Sequence, residues 1–183
     1  MGKIGKFVAL LRGINVGGKN VIKMSELKSC FENMGFGNVV TFIQSGNVLF
    51  YADCNINEIT EQIEKTLSKI FNYSSSAVVL SQGQLNTVVK EAPQGFGKYP
   101  DKFRYDVIFL KKPLCPSEAM NSLRIKEGVD EAFAGKEVLY FTRLISKASQ
   151  SRLPRIITTP LYQSMTIRNW KTTTKLLMLL DAF

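Results

Sequence analysis

Twice along these 183 residues the hydrophobic pattern reads strand, helix, strand, strand, helix, strand. That order constrains the fold more than any other feature, because few topologies accept it twice. In the first pass, residues 7–14 open with five apolar residues, the composition of a central strand buried on both faces. Ser25 is the expected N-cap of a helix to about Met34, with Leu27, Cys30, Phe31 and Met34 on one face. Residues 39–44 and 48–51 are rich in β-branched and aromatic residues and flank the turn signal Ser45-Gly46-Asn47. A helix over 57–71 aligns Ile59, Ile63, Leu67 and Ile70, and a short strand at 77–80 closes the set.

A connecting helix over 82–91 and a loop over 92–101, with two Pro and two Gly, lead to the second pass. Its strands are expected at 105–110, 128–134, 137–142 and 164–167. Its helices are expected at 117–123 and around 153–161, after a polar loop at 146–152, and a final helix follows over 170–181. This is the split β-α-β order of ferredoxin-like domains, and the right-handed crossover rule makes each pass a four-stranded antiparallel sheet with helices on one face. The expected fold is therefore α+β, two ferredoxin-like (βαββαβ) halves over 1–81 and 102–183, with 82–101 between them and an extra C-terminal helix in the second.

The chain has no histidine, which excludes Ser-His-Asp and Cys-His nucleophile activation and histidine-ligated metals. Cys30, Cys54 and Cys115 are far apart, form no CxxC, and are expected to be small buried hydrophobes. No paired carboxylates or nucleophile elbow indicates a reaction type, no metal is expected, and the sequence names no cofactor. The longest apolar runs, 7–11 and 176–180, are too short to span a bilayer, and no signal-peptide pattern follows Lys3 and Lys6, so a cytoplasmic protein without a membrane partner is expected.

The formal net charge is +9, and between residues 138 and 180 there are seven basic residues and no acidic one. Such a stretch attracts anions. Two candidate anion sites follow. The first is Arg12-Gly-Ile-Asn15-Val-Gly17-Gly18-Lys19-Asn20, where a strand runs into a glycine-rich basic turn; the alternatives are a tight turn whose glycines only supply positive φ, and a structural salt bridge for Arg12. Its Gly-x4-Gly-Lys spacing approaches a Walker phosphate loop, but Asn20 stands where Ser or Thr would hold magnesium. Gln44, Ser45 and Asn47 join this site if their hairpin lies beside the first strand; the alternative is that they only build the turn. The second candidate is Arg168-Asn169-Trp170-Lys171: Asn169 can cap the last helix, and an anion would relieve two cations at its positive end; Trp170 is either a ligand platform or part of the core. The loop 146–155 alternates hydroxyls and cations, as either a phosphate-contacting or a merely solvated loop would.

Residues 8–18, Thr41-Phe-Ile-Gln-Ser-Gly-Asn-Val48, 137–141 and Thr166-Ile-Arg-Asn-Trp-Lys-Thr-Thr-Thr-Lys-Leu176 occur together in this order. In this the chain resembles a bacterial family catalogued as domain of unknown function 1697. The resemblance implies paired ferredoxin-like halves and no particular activity. One departure is Lys171, where the family pattern leads one to expect Asn.

The functional expectation is a phosphate-bearing ligand, either a nucleotide or single-stranded RNA. For RNA, Phe42, Phe50, Tyr51, Tyr140 and Phe141 would be the stacking aromatics, although no RNP1 pattern is present. The alternatives are an enzyme acting on a small phosphorylated or carboxylated metabolite at the junction of the halves, and a protein-interaction domain with a basic face. The sequence is silent on oligomeric state.

Overall fold

The structure, a computed structural model, describes residues 4–15 and 20–183. The chain forms two compact units, residues 1–85 with 176–183 and residues 86–175. Each holds a four-stranded antiparallel sheet with interleaved helices, as in two ferredoxin-like halves.

The first unit contains β1 (Gly5–Leu11), α1 (Met24–Asn33), β2 (Gly37–Phe42), β3 (Asn47–Ala52), α2 (Ile56–Phe71) and β4 (Ala77–Ser81), in sheet order β2-β3-β1-β4. The five apolar residues of β1 are all buried, as expected of a central strand. Phe7, Ala9 and Leu11 join Leu27 and Phe31 of α1 and Ile59, Ile63 and Leu67 of α2 in one core. The alternate residues Val8 and Leu10 are also buried, as are Leu49 and Leu80 beside them in the sheet. Phe50 sits among three rings, with centroids 4.6 Å from Phe36, 5.4 Å from Phe31 and 5.9 Å from Phe7. Helix α2 is capped by Asn55, whose side chain accepts from the amides of Asn57 and Glu58. The C-terminal residues of this unit are tied down too: Lys6 Nζ donates to the Leu180 carbonyl at 3.1 Å, and Tyr51 packs on Phe183.

The second unit contains β5 (Phe103–Leu110), α4 (Pro116–Ser122), β6 (Asp130–Ala134), β7 (Val138–Leu144) and β8 (Met165–Asn169), in order β6-β7-β5-β8. Helices α3 (Gln82–Lys90) and α5 (Trp170–Asp181) each begin in one unit and end in the other. The core holds Ile108, Leu139, Phe141 and Met165 against Ala119, Leu153 and Ile156. On the other face Tyr140 donates its hydroxyl to the Val88 carbonyl at 2.7 Å. Burial, with a smaller contribution from Glu91, pushes that phenol up to about 12.

Several local expectations are corrected. Strand β1 ends at Leu11 and β2 at Phe42, because the positive φ of Gly13 and of Ile43 turns the chain early. Ser25 lies inside α1; Lys23 occupies the N-cap position and makes no side-chain cap. Ile70 is exposed rather than part of the apolar face of α2. Instead of a polar loop and a helix over 146–161 there are three 3₁₀ turns, Ile145–Gln150, Leu153–Thr158 and Pro160–Ser164. Pro154 and Pro160 lack amide donors, and the residue before Pro160 is extended (Thr159, ψ 144°), so no α-helix can run through.

Only Cys30 among the cysteines is buried; Cys54 and Cys115 are exposed. The Ser117 hydroxyl, and then the Glu118 amide, lower the Cys115 thiol pKa, whereas burial and then Glu26 raise that of Cys30. A disulfide reagent at neutral pH should therefore modify Cys115 ahead of Cys30. Peptide mapping of a partly labelled sample checks this, and Cys30 labelling first would contradict it.

Candidate functional site

Chain leaving the end of β1 meets the β2–β3 turn, and side-chain amides join the two. Arg12 leaves the strand with its backbone amide on the Ser76 carbonyl (2.9 Å), and its side chain is half-buried. Asn15 spends both ends of its amide on the backbone: Oδ1 accepts from the Ile22 amide at 2.8 Å, and Nδ2 donates to the Ile22 and Gln44 carbonyls at 3.0 and 2.9 Å. The backbone amide of Asn15 reaches the Asn20 carbonyl (3.1 Å), and Asn20 Nδ2 returns to the Gly13 carbonyl (2.9 Å). Each such bond contributes about 0.5–1.5 kcal/mol net. They hold Gly13, Asn15 and Asn20 at φ of 68°, 52° and 49°. Asparagine tolerates that region because its short amide can bond locally.

The turn is equally constrained. The Leu11 amide donates to the Gly46 carbonyl at 2.8 Å. Asn47 is fully buried, and its Nδ2 donates to the Phe42 carbonyl (3.0 Å) and the Ser45 hydroxyl (3.1 Å). Ile43, at φ 52°, is a β-branched residue in the left-handed region, a conformation that persists only where its surroundings enforce it.

The structure thus brings Arg12, Asn15, Gln44, Ser45 and Asn47 to one end of the first sheet. Asn15 and Asn47 serve there as braces, and the Gln44 side chain is exposed. Gly17, Gly18 and Lys19 lie outside the described residues. Sequence reasoning overlooked Asn20 as a brace and Ile43 as a strained residue. An asparagine ending a glycine-rich turn was a usable signal for the first; nothing local marked the second.

The second candidate group does not form one surface. Arg168 is buried on β8, donating through Nη1 to the Thr166 hydroxyl (3.0 Å) and the Ile167 carbonyl (2.9 Å). Loss of hydration lowers its pKa to about 10, so it is still a cation at neutral pH. Asn169 caps α5 as expected, its Oδ1 accepting from the Thr172 amide at 2.7 Å. Trp170 packs edge-on against Phe96, with centroids 5.1 Å apart, and Phe96 also meets Tyr105 and Tyr140. At Gly97, where φ is 85°, a Cβ would run into the Trp170 indole, so only glycine lets this loop seat there. Lys171 alone of the four is an exposed cation.

The charges of the second sheet were also missed by sequence reasoning. Arg104 Nε contacts both carboxylate oxygens of buried Asp106, at 2.9 and 3.1 Å. Asp130, also buried, accepts through Oδ2 from the Lys126 and Arg152 amides. Among the described residues no group of three or more Cys, Asp or Glu side chains is placed to hold a metal ion. No helix among them is long and apolar enough to cross a membrane.

A family model described as "Protein of unknown function (DUF1697)" matches residues 4–140. The chain belongs to the DUF1697 family. Among solved structures, this DUF1697 chain is similar to "conserved bacterial protein SP0830 from Streptococcus pneumoniae". The two are 26% identical, with a TM-score of 0.85 over 97% of this chain and 99% of that one. No curated protein matches.

Proposed function

We propose that this chain binds a small phosphate-bearing ligand of the nucleotide type, at the loop that leaves β1. The observation that carries this reading is the double anchoring of Asn15 to Ile22 and Gln44. It ties the residues at the two ends of the loop, Asn15 and Ile22, to each other and to the β2–β3 turn, which lowers the entropy cost of gathering a ligand site between them. Left-handed residues along such a loop belong to the backbone that forms anion-binding concavities. Arg12 supplies a planar donor fork suited to phosphate. The RNA reading loses support, because Phe50, Tyr140 and Phe141 are buried and have no face free for a base.

The test is thermal denaturation against rising concentrations of nucleotides and pyrophosphate at two salt levels. The wild type should be stabilised in proportion to the logarithm of ligand concentration, with little salt dependence. Arg12→Ala should weaken apparent affinity by roughly tenfold or more, as expected for loss of a charge-assisted bond of about 1.5–3 kcal/mol. Lys171→Ala should leave it unchanged. Loss with Lys171→Ala and none with Arg12→Ala would move the site to α5; stabilisation by RNA alone, lost as salt rises, would restore the nucleic-acid reading.

A further inference from the structure

The outer edge of the second sheet carries features that a ligand site at the β1 loop does not use. Strand β6 pairs with β7 alone, in a register without irregularity from Asp130↔Arg143 to Ala134↔Leu139. The Leu144 amide bonds the Val129 carbonyl, and the Gly135 amide bonds the Val138 carbonyl. Odd-numbered residues of β6 therefore direct their backbone toward β7, and even-numbered ones direct it outward. Asp130 uses its outward amide on the Lys126 carbonyl at 2.8 Å. Among the described residues nothing bonds the outward N–H and C=O groups of Ala132 and Ala134. Between them Phe133 is 44% exposed.

Native proteins usually blunt such an edge. Strand β2, an edge of the first sheet, has the expected device: its register shifts between Gly37 and Val40, and Asn38 sits at φ 46°. Strand β6 has none of this, and its sequence is close to symmetric about Phe133: Glu131-Ala-Phe133-Ala134, with Lys136 in the turn that follows.

We propose that β6 is a self-association edge, pairing antiparallel with β6 of a second copy of this chain about a two-fold axis at Phe133. In that register Ala132 faces Ala134 of the other copy and the reverse, so all four outward N–H groups find carbonyls. Phe133 faces itself as a non-hydrogen-bonded pair, where side chains approach most closely. The exposed acid Glu131 at one end stands opposite Gly135 of the other copy, one residue from its exposed base Lys136. A two-fold at Ala132 would instead need the Asp130 amide, which is already committed to Lys126. The unpaired backbone groups and the opposite charges near each end thus favour a second copy as the partner. The strand is short, so the interface lies at the small end of the range and the dimer dissociates on dilution.

The test is sedimentation of the full chain over a wide concentration range. The wild type should move from one to two chain masses as concentration rises. Phe133→Lys, which sets two cations face to face, and Ala132→Pro, which deletes an outward donor only, should both stay monomeric. Far-UV circular dichroism and melting temperature should match the wild type, because neither substitution touches an internal hydrogen bond. Phe133→Cys in a Cys54→Ser, Cys115→Ser background should form a disulfide-linked dimer on oxidation, since facing residues of such a pair lie within disulfide reach. A wild type that is monomeric at every concentration, or a dimer that survives Phe133→Lys, overturns the proposal. So does a monomer whose β6 amides gain exchange protection only when a different protein is added, which would assign the edge to another strand.

Discussion

Phe50→Ala is expected to lower the unfolding free energy by about 3–5 kcal/mol, the cost of removing a large buried aromatic. Phe50 lies in β3, next to the central strand, and is fully buried. Its ring touches rings from three separate pieces of chain: Phe7 of β1, Phe31 of α1, and Phe36 just after α1. Stacked, tilted and edge-on pairs of this kind add about 0.5–1.5 kcal/mol beyond burial. The cavity left by alanine cannot close cheaply, because its walls belong to a hydrogen-bonded sheet and to a helix held by other core contacts. Ile70→Ala, on the exposed side of α2, serves as the control and should change stability by about 0.5 kcal/mol or less. Urea unfolding followed by far-UV circular dichroism measures both. Equal effects would mean that the four rings are not the packing centre of the first unit.

The same side chains explain why the fold was legible and the site only partly so. Periodicity reports burial, and burial decided the strands and long helices: β3, α2 and α5 lie within a residue of where the apolar pattern puts them, and β1 departs from it only beyond its five buried apolar residues. Periodicity failed where backbone chemistry outweighed side-chain pattern. Leu153, Ile156 and Leu161 have helical spacing, but two prolines six residues apart convert the segment into 3₁₀ turns. In the candidate site, residue types were readable and their duties were not. Asn15 and Asn47 read as candidate ligand groups, Asn47 with turn-building as the alternative, and their amides are occupied by backbone partners, Asn47 within its own turn. Gln44 lies 29 residues from Asn15, and no local rule couples them. Arg168 reads as a cation at a helix start that an anion would relieve; its burial depends on the sheet around it, and a sequence pattern one residue wide does not carry that.

Gly46→Ala should also be strongly destabilising, and it bears on the proposed site. At Gly46 φ is 74°, which costs an alanine about 1–2 kcal/mol. A Cβ there would stand 2.6 Å from Ile14 Cδ1 and 2.9 Å from Leu11 Cβ. Both neighbours are buried, so neither can simply swing into solvent. Overpacking of this kind adds about 1–3 kcal/mol, for a total of roughly 2–5 kcal/mol. Gly13→Ala isolates the backbone part, since φ there is 68° and nothing among the described residues lies within 4 Å of the added atom. The excess of Gly46→Ala over Gly13→Ala then measures how tightly the β2–β3 turn is pressed onto the end of β1. Relief of the overlap must push the turn away from Leu11 and Ile14. It would stretch the Leu11–Gly46 backbone bond and draw the Gln44 carbonyl from Asn15, loosening the loop that carries Arg12. In the nucleotide titration, Gly46→Ala should therefore lose apparent affinity at temperatures where the chain is still folded. If the two glycine variants prove equally stable and bind alike, the turn yields freely, and its hold on Asn15 does not support the anion site proposed at the β1 loop.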